Sequence, residues 1–155
     1  MTLKTFISNS AKDTTKFGES LAKNLKAGDV ICLFGNLGSG KTTFTKGLAR
    51  GLKIKEAQVH SPTFTLMNVY ESKRGLNLFH FDLYRIEKIE EIISLDYEEY
   101  FEGDGVTVVE WAERFGILAP KYRLEVHFKH AGEDVREIKL KPKGEVLKKR
   151  IGFVK

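Results

Sequence analysis

Gly35-Asn36-Leu37-Gly38-Ser39-Gly40-Lys41-Thr42 fits the pattern G-x-x-x-x-G-K-[ST], whose chemistry is the cradling of nucleotide phosphates by backbone amides. Glycines at 35, 38 and 40 let the chain turn its N–H groups inward as an anion nest, and a following helix N-terminus adds partial positive charge. Lys41 would reach the β and γ phosphates, and the Thr42 hydroxyl would ligate Mg²⁺ with Thr43 packing or bonding beside it. A pattern this short also arises by chance, so its flanks decide. Val30-Ile31-Cys32-Leu33-Phe34 before it is an apolar run of strand length, the composition of a strand covered on both faces. After it, residues 42–52 place Phe44, Leu48, Ala49 and Leu52 at helical spacing, which supplies the strand-to-helix junction the motif requires.

Two acids fall at the ends of further strand-like runs. Gly105-Val106-Thr107-Val108-Val109 leads into Glu110 and Trp111, the Walker-B order of apolar strand followed by a carboxylate for Mg²⁺. Leu76 to Asp82 reads as a strand with Leu78, His80 and Asp82 on one face and Phe79 and Phe81 on the other. Asp82 is then placed to hold a magnesium-bound water or to polarise the attacking one. Tyr84 and Arg85 follow, and Arg85 either fixes Asp82 by a salt bridge or contacts phosphate. His80 reads as a hydrogen-bonded sheet residue, because no His or Cys partner stands at ligand spacing. Trp111 either shields the site or covers the core. Ser61-Pro62-Thr63-Phe64-Thr65 marks a loop whose hydroxyls would approach Mg²⁺ or the γ-phosphate as a switch does, or else a simple Ser-Pro turn into a strand.

The elements that must position these residues read as alternating helices and strands. Ser10-Ala11-Lys12-Asp13 resembles a capping box, followed by Phe17, Leu21, Ala22 and Leu25 at helical intervals, so a first helix should end near Gly28. Phe64 to Tyr70 and Leu76 to Asp82 are joined by only Glu71-Ser72-Lys73-Arg74-Gly75, too short for a crossover helix, so they should pair antiparallel in a mixed sheet. Tyr122 to Lys129 alternates apolar with polar, turns through Gly132 and returns through Val135 to Leu140, which predicts a hairpin with one wet face. Residues 144–150 should close with a short helix. The expected fold is α/β: a P-loop NTPase-like three-layer sandwich, its mixed parallel and antiparallel sheet flanked by helices, in a single domain over residues 1–155.

Composition bounds the remaining possibilities. A chain of 155 residues, 41% hydrophobic and 30% charged, is one ordinary domain with enough material for a core. It has no apolar stretch near the roughly 20 residues that cross a bilayer and no signal-like N-terminus, so a cytoplasmic protein without membrane association is expected. Cys32, the lone cysteine, falls inside a strand and reads as core packing. The net charge of +5 is uneven: Lys139, Lys141, Lys143, Lys148, Lys149, Arg150 and Lys155 make the C-terminal part basic, and residues 87–102 are acidic. Both are solvated faces or partner surfaces, with RNA one conceivable partner of the basic segment although no RNA-recognition motif stands there.

Taken in order and spacing, the P-loop at 35–43, Ser61-Pro62-Thr63-Phe64-Thr65, His80-Phe81-Asp82-Leu83-Tyr84-Arg85 and Val109-Glu110-Trp111 resemble the bacterial TsaE (YjeE) family of tRNA threonylcarbamoyladenosine biosynthesis. His60, before the Ser-Pro, stands where small polar or aliphatic residues are common in that family. The resemblance implies a Mg²⁺-dependent ATPase that binds ATP and ADP and works with TsaB- and TsaD-type transferase proteins on the adenosine beside the anticodon. By motif position it implies Gly38 to Thr43 on the phosphates, Thr42 and Glu110 on Mg²⁺, and Asp82 in hydrolysis. It further places Thr14 near the base and makes residues 61–65 a sensor of γ-phosphate or partner. Slow intrinsic hydrolysis is expected, accelerated or coupled by partners, with Arg85 the candidate arginine for the transferring phosphoryl group. Two rivals stay open: a small-molecule kinase with Asp82 as base, and a nucleotide-binding switch or scaffold whose hydrolysis is dispensable. A GTPase is disfavoured because no N-K-x-D segment occurs.

Overall fold

The computed structural model describes residues 4–73 and 75–152; Arg74 of the 71–75 link and Lys155 of the basic stretch lie outside the described residues. Among these, strands β1 (Lys4–Ser8), β2 (Val30–Phe34), β3 (Met67–Tyr70), β4 (Asn77–Asp82), β5 (Gly105–Glu110), β6 (Arg123–His130) and β7 (Arg136–Lys143) form one sheet in the order β1-β7-β6-β2-β5-β4-β3. The inner four are parallel: β2 pairs with both β5 and β6, and β4 pairs with β5. β3 joins β4, β7 joins β6 and β1 joins β7 antiparallel, so the mixed sheet read from the short 71–75 link is present.

Helices α1 (Ala11–Ala22), α2 (Lys41–Gly51) and α5 (Glu145–Ile151) cover one face, and α3 (Ile89–Ile93), α4 (Tyr97–Phe101) and a 3₁₀ segment at Ala112–Leu118 cover part of the other. Strand β2 explains why three layers form. Its alternate residues Ile31 and Leu33 join Phe17, Leu21, Phe44 and Leu48 in one core, while Val30 and Cys32 join Phe79, Phe81, Ile92 and Phe115 in the other. Burial pushes the Cys32 thiol up to about 12, which fits packing and not nucleophilic work. The two helices beside the nucleotide motif lie in backbone contact: a Cβ on Gly47 of α2 would stand 2.1 Å from the Thr15 carbonyl oxygen of α1.

Several boundaries differ from the sequence reading. Helix α1 ends at Ala22, short of Gly28, and Leu25 reaches the core from the turn that follows. Strand β3 begins at Met67 and not at Phe64, because the Leu66 amide donates to the Pro62 carbonyl at 2.7 Å and Leu66 itself is left-handed at φ 68°. Trp111 is likewise left-handed at φ 57°, so β5 stops at Glu110. Strand β1, and helices α3 and α4 within the acidic stretch, are additions to the elements read from sequence.

Candidate functional site

Three parallel strands deliver the site from the same edge of the sheet. β2 runs directly into the glycine loop, and Asp82 and Glu110 are paired neighbours at the carboxyl ends of β4 and β5, the edge at which open α/β sheets bind ligands. Asp82 and Glu110 are each 2% exposed. The cleft there has a volume of about 380 Å³ and is lined by the loop from Leu37 to Thr43 with Ser61, Thr63, Asp82, Tyr84, Glu110 and Trp111, within the size range of small-molecule sites.

The loop geometry is that of an anion cradle. Gly40 caps α2 in the left-handed region at φ 106° with no side-chain hydrogen bond, so the first-turn amides of α2 are left to an external acceptor. A Cβ on Gly35 would meet Ser39 Oγ at 2.6 Å. Ser39 Oγ is buried with no hydrogen-bond partner, an orphaned donor that a phosphate oxygen would satisfy. Asn36 and Leu37 form the exposed outer tip, and Asn36 contributes through its carbonyl, which accepts from Lys41 Nζ at 3.1 Å and from the Ser39 amide at 3.1 Å.

Lys41 is bonded back to the Gly35 and Asn36 carbonyls, and its ammonium stands 4.1 Å from the centre of the Trp111 ring. Burial pulls its pKa below the ordinary lysine value, opposed by the charges of Glu110, Glu113 and Asp82. Trp111 also packs on the second core, as one of its two readings expected, and against Tyr84 with ring centroids 4.9 Å apart.

The carboxylates have different surroundings. Thr42 Oγ1 donates to Glu110 Oε1 at 2.9 Å, bringing together two hard oxygens, the donor type that suits Mg²⁺ alongside phosphate and water. Glu110 Oε2 stands 3.2 Å from His80 Nε2. Asp82 instead receives Ser61 Oγ at 2.7 Å and Thr63 Oγ1 at 3.2 Å on Oδ2, and the Tyr84 amide at 2.9 Å on Oδ1. Of the 61–65 segment, Ser61 and Thr63 therefore enter the site. Pro62 is buried beside them, Phe64 is 84% exposed, and Thr65 turns to Asn68.

Two expectations are corrected here. Arg85 neither bridges to Asp82 nor lines the cleft: its guanidinium lies 5.0 Å from the centre of the Phe64 ring, because the backbone after Asp82 turns Tyr84, and not Arg85, towards Trp111. Arg150 and Lys139 of the basic stretch are also paired with acids and are not free surface charges. Arg150 makes two 2.7 Å bonds to Asp29, whereas Lys139 lies on β7 and pairs with Glu137 at 3.2 Å.

Thr14 reaches the loop from the opposite side. It is 2% exposed, shares a 2.7 Å hydrogen bond with Ser8 Oγ, and lines a small cavity of about 130 Å³ with Gly38, Gly40, Thr43 and Arg136. Arg136 is a site residue that sequence reasoning missed. It starts β7, bonds the Glu133 and Val135 carbonyls, and reaches the Gly38 carbonyl at 3.4 Å.

Comparison with known proteins points to one family. The family model described as threonylcarbamoyl adenosine biosynthesis protein TsaE matches residues 8–138. The chain is 46% identical over 127 residues to the tRNA threonylcarbamoyladenosine biosynthesis protein TsaE of Bacillus subtilis, covering 82% of this chain and 78% of that one. It is 50% identical over 113 residues to the protein of the same name from Aquifex aeolicus, covering 72% and 79%. The crystal structure of Bacillus subtilis YdiB superposes with a TM-score of 0.76 at 35% identity, over 96% of this chain and 93% of that chain.

Proposed function

The chain belongs to the TsaE family, and from that premise we propose that it is a Mg²⁺-dependent ATPase serving threonylcarbamoyladenosine modification of tRNA together with the transferase proteins. The observation that carries the chemistry is the Thr42 to Glu110 contact of 2.9 Å at the mouth of the glycine loop. It supports assigning Thr42 and Glu110 to the metal and leaves Asp82, 2% exposed on the neighbouring strand, to orient water.

In this reading the nest amides and Lys41 bind the phosphates, and Lys41 exchanges its bonds to the Gly35 and Asn36 carbonyls for phosphate oxygens. Bound Mg²⁺ offsets charge on the transferring phosphoryl group. Asp82 Oδ2 accepts from Ser61 and Thr63, so any ligand that draws these hydroxyls away frees the carboxylate for a water. That arrangement ties the 61–65 segment to nucleotide state and gives a partner something to read. Leu37 and Phe64, 76% and 84% exposed, are apolar residues beside this segment and the loop, a composition suited to burial by a partner protein.

The test is reconstitution. ATP hydrolysis and tRNA modification are measured for the chain alone, with the transferase proteins, and with Lys41→Ala or Asp82→Asn. Slow hydrolysis alone, faster hydrolysis in the complex and loss of both activities in Lys41→Ala are expected. Rapid hydrolysis that ignores the partners would contradict the proposal. Modification that survives Asp82→Asn while hydrolysis stops would select the switch reading instead.

A further inference from the structure

We propose that His80 is a positioning residue: donating from Nε2, it holds the Glu110 carboxylate in place against Thr42. The inference rests on Glu110 facing the metal, as read above. His80 is 0% exposed on β4, one strand in from the β3 edge of the sheet, between Asn68 of β3 and Val108 of β5 in register. Its Nε2 lies 3.2 Å from Glu110 Oε2, and its Nδ1 is buried without a hydrogen-bond partner among the described residues.

These two facts select the tautomer. A proton on Nδ1 would be a buried donor with no acceptor, and Nε2 would then turn a lone pair towards a carboxylate oxygen. A proton on Nε2 makes the hydrogen bond and leaves at Nδ1 only an acceptor lone pair, the cheaper group to leave unpaired. Glu110 is then fixed on both oxygens, by Thr42 from α2 and by His80 from β4. Neither partner belongs to β5, so rotation of the carboxylate must break a bond to a separate element. A ligand pre-set in this way binds its ion without first being ordered, the role outer partners play around metal-binding side chains. The histidine of the H-x-D segment is thus tied to the Glu110 strand, while Asp82 of the same segment is tied to the 61–65 loop.

Two measurements test this. In ¹⁵N-labelled protein without nucleotide, assigned among the 4 histidines by the signal lost in His80→Gln, His80 should show a protonated Nε2 and an unprotonated Nδ1. The opposite tautomer overturns the proposal. Independently, Mn²⁺ affinity of the ADP complex, read by electron paramagnetic resonance, should fall about ten-fold or more in His80→Leu and be largely retained in His80→Gln, whose amide nitrogen can donate to Glu110. Metal-free ADP affinity should be equal in all three proteins. Unchanged Mn²⁺ affinity in His80→Leu, or equal loss in both variants, overturns the positioning role. If Mn²⁺ adds nothing to ADP binding by the wild type, the metal reading of Glu110 fails first and takes this role with it, an outcome distinct from failure in the variants alone.

Discussion

Replacing Glu110 separates what the acid does for the fold from what it does for chemistry. Glu110 is 2% exposed, and its two oxygens meet Thr42 at 2.9 Å and His80 at 3.2 Å. In Glu110→Gln the amide oxygen still accepts from Thr42, and the amide nitrogen can donate to His80 only if that ring changes tautomer, which leaves the buried Nδ1–H unpaired at about 1–3 kcal/mol. Two charge-assisted bonds become neutral ones, a loss of about 1 kcal/mol each. Against this, burying a carboxylate costs several kcal/mol even after relaxation, roughly 2 or more, and Gln removes that cost. The terms roughly cancel, so the folded state should stay within about 2 kcal/mol of wild type, about 8 °C in Tm or less for a chain of this size. Glu110→Ala is relieved of the same burial cost but leaves both the Thr42 hydroxyl and the His80 ring without an acceptor, one unpaired group more than Gln, and should lie about 1–3 kcal/mol below it. Urea unfolding without nucleotide measures both. Mg²⁺-dependent hydrolysis should fall about a hundred-fold or more in each variant, the scale for losing one preorganised electrostatic group. Equal destabilisation of Gln and Ala would refute the hydrogen-bond argument, and retained turnover in Gln would refute the metal assignment.

Three other outcomes are expected. Trp111 is the lone tryptophan and carries the Lys41 ammonium 4.1 Å from its ring centre, so nucleotide should change its emission, and Lys41→Ala should abolish that response. Gly47→Ala puts a Cβ 2.1 Å from the Thr15 carbonyl; the clash is with backbone, so unfolding free energy should drop by about 1–3 kcal/mol in urea despite alanine's better helix propensity. Burial alone would raise Glu125, but bonds from His127 and Arg123 hold its carboxyl below the ordinary 4.5. A depressed carboxylate stabilises the fold above its unfolded pKa and loses that contribution as pH falls through the folded value. The urea midpoint of Glu125→Gln should accordingly lie below wild type at neutral pH and converge with it below 4.5.

The legible parts of this site are those that lie close together in the chain. Gly35 to Thr42 form a contiguous turn whose residue types dictate its conformation, and the apolar runs into Asp82 and Glu110 announce strands that must be buried. The parallel pairing of those strands, which the fold supplies, puts the two acids side by side. The supporting contacts carry no such signal. His80 and Glu110 are 30 residues apart, Ser61 and Asp82 are 21 apart, and Arg136 reaches Gly38 across 98 residues. Each depends on strand order and register, which local propensity does not encode. Strand β1 was hidden for a related reason: only five residues long and at the sheet edge, it is held by pairing with β7 more than by its own pattern. Arg85 shows the converse error, since adjacency to Asp82 suggested a contact that a single turn of backbone removes.

On the proposed function, the site's own hydrogen bonds also bear on how it would be regulated. Lys41 bonds the loop's own carbonyls, and Asp82 accepts the hydroxyls of Ser61 and Thr63. Both groups proposed for chemistry on the phosphate are thereby satisfied by the protein itself, so a nucleotide must replace these bonds, not simply add to them. Exchange of this kind makes net binding weaker than the number of contacts suggests, because each new bond is offset by one surrendered. It also makes the 61–65 segment, whose Ser61 and Thr63 are released, the part of the molecule whose conformation follows occupancy most directly. Glu110 differs. Its partners Thr42 and His80 hold it where a metal would need it, so the metal side is pre-set while the water side is latched. A partner that captured the 61–65 segment would then raise hydrolysis through Asp82 without altering metal affinity, and that asymmetry can be measured by comparing Mn²⁺ binding and turnover with and without the transferase proteins.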